Sequence, residues 1–130
     1  MDRSQDWIKQ ARRDLQRAKL DVEHDYFEWA CFAAQQSAEK AVKAVYQASN
    51  QSVRGHSIVK MLQGLQNSIN VSEPLIHFAR VLDRYYIESR YPNGFPEGSP
   101  FEFFDEKLAE EALHAAGQIL RFCDDRIGGP

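Results

Sequence analysis

The sequence predicts an all-α fold, an antiparallel up-and-down bundle of four to five helices. Residues 29–46 contain no glycine and no proline. Four or five segments repeat apolar residues at helical spacing, and no stretch shows the sustained alternation of a β-strand. With 130 residues, of which 43% are hydrophobic, the chain can bury one core of ordinary size, so we expect a single domain over residues 1–130.

The first helix is predicted over residues 4–24. Ser4 is its predicted N-cap, and apolar side chains recur at helical spacing at Trp7, Ile8, Ala11, Leu15, Ala18, Leu20 and Val22. A turn follows at residues 24–26. Asp25 followed by Glu28 has the form of a capping box, which predicts that the second helix opens here.

The second helix, which contains residues 29–46, is expected to be the central helix of the bundle. At about 100° per residue, one face carries mostly small side chains, namely Ala30, Ala34, Ser37, Ala38, Ala41, Val45 and Ala48. The opposite face carries Gln36, Glu39, Lys40, Lys43 and Gln47. Because Trp29 and Phe32 interrupt this polar face, we expect it to be partly covered by another segment or by a second chain.

Two helices are predicted between residues 57 and 89. Ser57 caps a short third helix that turns inward the side chains of Ile58, Met61, Leu62 and Leu65. Ser72, followed by Pro74 in the first turn, opens a fourth helix. This helix is predicted to reach Ser89, with one buried stripe that consists of Leu75, Phe78, Ala79, Leu82, Tyr86 and Ser89.

The chain is least regular at residues 90–104, where three prolines and two glycines occur. These residues are predicted to form a long loop. Asp105 is predicted to cap the last helix, which should end near Arg126. Residues 127–130 are expected to be a frayed tail.

Composition and charge argue against several classes of function. The chain has 16 basic and 19 acidic residues, a net charge of −3, which argues against a general nucleic-acid coat and against a membrane-surface protein. The same balance, with no compact basic recognition helix, argues against sequence-specific DNA binding. No signal peptide and no run of about 18 apolar residues is visible, so we expect a cytoplasmic protein.

The sequence contains no motif typical of a metal site or of a common enzyme active site. The histidines at positions 24, 56, 77 and 114 are scattered without the spacing of a metal site, so neither a metal nor a cofactor is predicted. Cys31 and Cys123 lie in helical patterns among apolar neighbours and are expected to be buried, reduced thiols.

A set of polar residues on the second and fourth helices is the candidate ligand-binding site: Gln36, Glu39, Lys40, Asp83, Tyr86, Arg90 and Tyr91. An arginine beside a tyrosine at a helix end suits phosphate and base recognition, because the guanidinium can bind two oxygens and the ring can stack on a base. In the alternative interpretation Arg90 caps carbonyls at its helix end and pairs with an acidic neighbour, while Tyr91 packs under the loop.

Several stretches together resemble the HEPN domain family over nearly the whole chain. They are Trp7 with Ala11 and Asp14-Leu15, the run FAAQQSAEKAVKAV at 32–45, His56-Ser57, LDRYYIESRYP at 82–92, and the final alanine-rich helix. The most specific parts are QQSAEK at 35–40 and RYP at 90–92.

The resemblance implies a bundle of four or five helices that is commonly a dimer. Members of this family often have a minimal nucleotidyltransferase, encoded alongside, as a partner, as in toxin and antitoxin pairs, and the resemblance implies such a partner here. Members of the family are nucleotide-binding domains or metal-independent ribonucleases. A homodimer also agrees with the many large apolar groups, which include Trp29, Phe32 and four phenylalanines of the 90–104 loop.

The ribonuclease branch of the family carries an arginine and a histidine separated by four to six residues. Arg90 matches the arginine, but none of residues 91–97 is a histidine. Only Arg17 and His24 meet this spacing, on the first helix. The sequence therefore predicts a non-catalytic module that binds a nucleotide, an RNA or a nucleotidyltransferase partner; the alternative is a metal-independent ribonuclease toxin whose rearranged site uses Arg90 with His56 or His24.

Overall fold

The computed structural model describes residues 2–127, and these residues form helices without any β-strand. The helices are α1 (Ser4–Glu23), α2 (Phe27–Ala48), α3 (Ile58–Leu65), α4 (Glu73–Asp83), α5 (Tyr85–Glu88), α6 (Pro100–Phe103) and α7 (Glu106–Ile127). A single 3-10 turn, Pro92–Gly94, lies between α5 and α6. The predicted all-α bundle is confirmed, with α1, α2, the α4–α5 pair and α7 as its long members.

Helix α2 is the centre of the bundle, as predicted. It packs most extensively against α1 and α7, and it also contacts the start of α3 and the α4–α5 pair. Alanines are buried along α1, α2 and α7, which brings the backbones of these helices close together. The hydroxyl of Ser37 satisfies its hydrogen bond inside this packing, because it donates to the carbonyl of Ala11 on α1 at 2.7 Å.

The predicted division of α2 into a small-residue face and a polar face is wrong in two places. Ala48 is exposed at the end of the helix. Glu39, predicted on the polar face, is buried at 4% exposure, and its neighbour Gln35 is fully buried. The expectation that the polar face is partly covered is confirmed, since the segment before α3 lies against it.

Three of the predicted helix caps are confirmed. The hydroxyl of Ser57 accepts a hydrogen bond from the amide of Lys60, and that of Ser72 accepts one from the amide of Leu75. The carboxylate of Asp105 accepts one from the amide of Leu108 at 2.9 Å.

The caps predicted for α1 and α2 are wrong. Ser4 is already helical, and the carboxylate of Asp2 accepts the hydrogen bond from its amide at 2.7 Å. Helix α2 begins at Phe27 without a side-chain cap. Asp25 has a φ of 65° because the chain must reverse direction within three residues, and this left-handed turn removes Asp25 from a capping position.

The predicted fourth helix to Ser89 is assigned as two segments, α4 ending at Asp83 and α5 starting at Tyr85. Its backbone stays helical through the junction, since Arg84 has a φ of −65° and a ψ of −27°. Tyr85 is the buried tyrosine at 4% exposure, whereas Tyr86, predicted in the buried stripe, is only partly buried.

The 90–104 loop is more ordered than predicted, since it contains the 3-10 turn and α6. The amide of Ser99 donates to the carboxylate of Glu102 at 2.9 Å, which opens α6. Gly98 has a φ of +87°, and a Cβ there would lie 2.9 Å from the ring of Phe103, so only glycine fits. Phe104 is buried and packs edge-to-face on Tyr85.

At the carboxyl end of the chain, α7 includes Ile127, which the sequence assigns to the frayed tail. The remaining residues of that predicted tail, 128–130, lie outside the described part of the chain.

Both cysteines are free and buried, as predicted. Burial raises the pKa of the Cys31 thiol to about 12 and raises that of Cys123 as well, so both thiols are protonated at neutral pH. None of the helices within residues 2–127 has the length and apolar character needed to cross a membrane.

Candidate functional site

The buried carboxylate of Glu39 organises one end of the site. Its Oε1 accepts hydrogen bonds from Gln35 Nε2 at 3.1 Å and from His56 Nδ1 at 3.0 Å. Its Oε2 accepts one from Lys43 Nζ at 3.1 Å. Gln35 and Lys43 lie one turn before and one turn after Glu39 on α2, so the helical repeat alone places both beside the carboxylate.

Gln35 links this carboxylate to the segment that precedes α3. Besides binding Glu39, its Nε2 donates to the backbone carbonyl of His56 at 3.2 Å. Its Oε1 accepts a hydrogen bond from Gln36 Nε2 at 2.7 Å, which fixes the orientation of the amide. Three residues of the QQSAEK stretch therefore hold the backbone and the ring of His56.

The imidazole of His56 is held on one face and one edge. Because a carboxylate oxygen can only accept, Nδ1 carries the proton in the bond to Glu39, and Nε2 makes no hydrogen bond within the described residues. The ring lies parallel to that of Tyr86, with centroids 4.2 Å apart and an interplanar angle of 17°. The side chain is still 51% exposed.

Asp83, predicted to bind a ligand, caps α3 instead. Its carboxylate accepts hydrogen bonds from the amides of Ile58 at 2.8 Å and Val59 at 3.1 Å, and from the hydroxyl of Ser57 at 3.1 Å. The negative charge therefore lies at the amino end of α3, where the backbone amides and the helix dipole stabilise it. Both carboxylate oxygens are occupied by protein donors.

Arg90 caps the end of α5. Its Nε and Nη2 both donate to the backbone carbonyl of Tyr86, at 2.9 and 2.6 Å. The guanidinium also lies over the rings of Phe32 at 4.3 Å, Tyr86 at 4.8 Å and Tyr91 at 5.1 Å. The helix-capping interpretation is confirmed for the carbonyl; the expected acidic partner is not found, since no ion pair within residues 2–127 includes Arg90.

An open cleft of about 560 Å³ lies beside α5, and we refer to it as the α5 cleft. The residues that line it belong to the segment before α3, to the end of α4 with α5, and to the 3-10 turn. They are His56, Ser57, Asp83, Arg84, Tyr86, Ile87, Glu88, Asn93 and Gly94. Of the predicted site residues, Asp83, Tyr86 and, for the ribonuclease alternative, His56 line this cleft, and Glu39 is linked to it through its hydrogen bond with His56.

Sequence reasoning missed Arg84 as a site residue. Arg84 is exposed and lines the α5 cleft, and none of the ion pairs within residues 2–127 involves it. Its guanidinium also lies beside the hydroxyl of Tyr85, where it partly offsets the rise that burial causes in the pKa of that hydroxyl. On the predicted helix to Ser89, Arg84 is one polar residue among several, and no local signal distinguishes it. The cleft beside it is formed by segments that are distant in sequence, the residues before α3 and the 3-10 turn.

A second, smaller cleft of about 260 Å³ lies between α1 and α2. It contains the other predicted site residues of α2, Gln36 and Lys40, together with Trp29 and Phe32. Lys40 Nζ is bound to the carboxylate of Asp14 at 2.5 Å. Gln36 and Lys40 are therefore separated from Asp83, and Phe32, against which Arg90 and Tyr86 pack, lies between the two sets.

Two further candidates lie apart from the α5 cleft. Tyr91 is exposed and lines neither cleft, so it does not pack under the loop. The guanidinium of Arg17 is bound to Asp21 on α1 at 3.0 Å, and neither Arg17 nor His24 lines the α5 cleft. In residues 2–127 no three His, Cys, Asp or Glu side chains are arranged to hold a metal ion.

Comparison with known families agrees with this architecture. A model of the HEPN domain matches residues 4–126. The chain belongs to the HEPN domain family. The match extends over all four long members of the bundle and both clefts.

Three solved structures are similar to this chain over almost their whole length, and two of them are described as HEPN proteins. TT1696 from Thermus thermophilus shares 42% identity over 97% of this chain and 99% of that chain, with a TM-score of 0.94. ST0689, an archaeal HEPN homologue, shares 41% identity over 98% and 100%, with a TM-score of 0.84. The HEPN domain protein tm0613 from Thermotoga maritima shares 37% identity over 92% and 94%, with a TM-score of 0.76.

A more distant relative is MJ1304 of Methanocaldococcus jannaschii, which is named as a candidate toxin. It is 26% identical over 128 residues, which cover 92% of this chain and 84% of the relative.

In this HEPN domain, residues of the two most specific stretches, QQSAEK at 35–40 and RYP at 90–92, have structural roles. Gln35, Gln36 and Glu39 position His56, and Arg90 closes α5. Within the described residues, two groups that line the cleft make no ion pair or side-chain hydrogen bond to a carboxylate there: the Nε2 edge of His56, and the guanidinium of Arg84, which lies beside the hydroxyl of Tyr85.

We expect Arg90→Ala to lower the free energy of unfolding by about 2–3 kcal/mol, because it removes two hydrogen bonds from a charged donor and the packing on Phe32. Arg90→Lys should recover less than half of the loss, since an ammonium cannot reproduce the planar, two-nitrogen contact. Urea unfolding followed by circular dichroism measures the change. Arg121→Ala, at an exposed position on α7, is the control; equal effects of Arg90→Ala and Arg121→Ala would contradict the capping role.

Proposed function

We propose that this HEPN domain is a non-catalytic module of a toxin and antitoxin system, and that it binds a nucleotide or an RNA segment in the α5 cleft. The observation that carries the proposal is the position of Arg84, an exposed guanidinium without a carboxylate partner in residues 2–127, in the same cleft as the half-exposed ring of His56. A guanidinium can bind two phosphate oxygens at once, and a flat ring suits a base.

The charge of the chain restricts the kind of binding. With a net charge of −3, the protein has no overall attraction for nucleic acid, so recognition must be local. Asp83 contributes little repulsion, because three protein donors already bind its carboxylate. Arg84 therefore replaces Arg90 as the residue that contacts phosphate, and Arg90 and Asp83 shape the cleft.

The toxin connection rests on two supports. The relative from Methanocaldococcus jannaschii is a candidate toxin, and the HEPN family implies pairing with a minimal nucleotidyltransferase. We propose that such a nucleotidyltransferase is the partner of this protein and that the pair acts in the cytoplasm.

We expect Arg84→Ala to weaken binding of a ten-nucleotide RNA by about tenfold, because one charge-assisted, two-oxygen contact is lost. Fluorescence anisotropy with labelled RNA, and calorimetric titration with ATP and GTP, measure the affinity. The matched control is Arg80→Ala, an exposed arginine of α4 outside the cleft, which should change affinity less than twofold. Equal losses in the two variants, or titrations of the wild type that show no binding, would reject the proposed site.

A second candidate function, a metal-independent ribonuclease toxin, is favoured by the geometry of His56. Its Nδ1 is bound to the buried Glu39 and its Nε2 is free in the cleft, which is the arrangement of a general base or acid. Because Arg90 is engaged with Tyr86, this rearranged site would combine His56 with Arg84.

For the ribonuclease candidate, we expect the purified protein to cleave tRNA or mRNA in the presence of a metal chelator. His56→Ala should abolish cleavage, because proton transfer contributes a factor of about 10²–10⁴, whereas His77→Ala on α4 should not. Gel electrophoresis of the RNA measures the activity. Intact RNA after prolonged incubation with the wild type would reject this candidate and leave the binding module.

We also propose a homodimer that uses the exposed apolar side chains at the α1–α2 end of the bundle, where Leu20, Tyr26 and Trp29 are each about half exposed. Burial of these groups against a second copy would stabilise the pair. We expect light scattering at micromolar concentration to give twice the monomer mass, and Trp29→Lys to shift the mass towards the monomer. A monomer mass for the wild type would contradict the homodimer.

A further inference from the structure

The ring of His56 carries a stacked aromatic ring on one face, and half of the side chain is exposed. Tyr86 fills one face at 4.2 Å, and Glu39 occupies the Nδ1 edge. The side chain nevertheless remains 51% exposed. Within residues 2–127, Tyr86 is the only aromatic ring stacked on it, and no cation lies over it. We infer that the exposed half includes the second face and the Nε2 edge, and His56 lines the α5 cleft.

We propose that this open face of His56 is a stacking platform for the base of a purine nucleotide, with Arg84 on its phosphate. The inference rests on the proposed binding of nucleotide or RNA in the α5 cleft and deepens it by assigning the chemical class of the ligand. The two aromatic candidates named by the sequence, Tyr86 and Tyr91, do not have this position, since Tyr86 is covered by His56 and Tyr91 lines neither cleft.

The platform is rigid before any ligand arrives. Gln35 holds the backbone carbonyl of His56, and Glu39 holds the ring edge. Tyr86 supports the ring from behind, and its own backbone carbonyl is held by Arg90. Little side-chain entropy remains to be lost when a base stacks, and such preorganisation favours affinity. A base on the open face would extend a stack that already runs from Tyr86 to His56.

The charges in the cleft favour a single phosphate. Arg84 is the one arginine or lysine among the described residues that line it, and Asp83 and Glu88 are acidic. Asp83 is satisfied by protein donors, but Glu88 would repel a second or third phosphate. The size of the imidazole favours a purine, because a two-ring base overlaps the platform more fully than a pyrimidine does and stacking grows with the overlapped area. The expected unit is a purine nucleoside monophosphate, free or within an RNA strand.

A ligand comparison on the wild-type protein tests the platform without any substitution. Nuclear magnetic resonance titrations with adenosine 5′-monophosphate, cytidine 5′-monophosphate, ribose 5-phosphate and ATP give the four affinities. We expect the purine monophosphate to bind about tenfold more tightly than ribose 5-phosphate, as base stacking generally contributes, with the pyrimidine between them. ATP should bind no more tightly than the monophosphate.

Substitutions at His56 separate stacking from proton transfer. We expect His56→Ala to weaken binding of adenosine 5′-monophosphate about tenfold, while His56→Phe, which keeps a flat ring, stays within about threefold of the wild type. His77→Ala is the matched control and should have no effect. Amide spectra of each variant establish that it is folded before its affinity is interpreted.

The outcomes distinguish this inference from the proposed function. If RNA binds and depends on Arg84, but ribose 5-phosphate binds as tightly as the purine nucleotide, the platform is overturned and the phosphate site stands. An equal loss in His56→Phe and His56→Ala, with both variants folded, also overturns it. If neither RNA nor any of these nucleotides binds the wild type, both the proposed function and the platform are rejected.

Discussion

The structure depends on the compensation of one buried charge, the carboxylate of Glu39 in the middle of α2. A carboxylate at 4% exposure would be costly if it were left without partners, by several kcal/mol. Here Gln35 and Lys43 donate to it from the preceding and following turns of α2, and His56 donates from a distant part of the sequence, so each carboxylate oxygen accepts a hydrogen bond. The cross-chain donor matters most, because a histidine 17 residues further along is the group that the arrangement positions. The hydrogen bond from His56 Nδ1 therefore both satisfies the buried carboxylate of Glu39 and positions the imidazole ring.

The second constraint concerns the backbone amides at the start of α3. Ser57 caps only one of them, and the carboxylate of Asp83 on α4 accepts hydrogen bonds from two others. Asp83 accepts hydrogen bonds from two backbone amides and a hydroxyl, which stabilises the first turn of α3 and ties it to the end of α4. Arg84, the next residue, lines the cleft, and Tyr85 is buried in the core. Arg90 caps the end of α5. Asp83 thus joins the two segments that flank His56 in the α5 cleft.

The sequence predicts the fold well because helix periodicity and caps are local. The long helices, the caps at Ser57, Ser72 and Asp105, and the buried thiols all follow from residues within a few positions of one another. The site is less accessible to such reasoning. The burial of Glu39 depends on a segment beyond the end of its helix, and the role of Asp83 depends on an amide 25 residues earlier. A helical wheel therefore places Glu39 on the polar face, and the Arg-Tyr pair points to Arg90 rather than Arg84.

The position of α2 also has a consequence for biosynthesis. Its partners come from opposite regions of the chain, since α1 precedes it and α7 occupies residues 106–127. Until α7 has left the ribosome, the side of α2 that packs on it, rich in alanine, stays open to solvent. The α1–α2 hairpin can form early from local contacts, but it cannot bury α2 alone. Folding to the native state is therefore completed after translation of α7, and the nascent hairpin is the species that chaperones would meet.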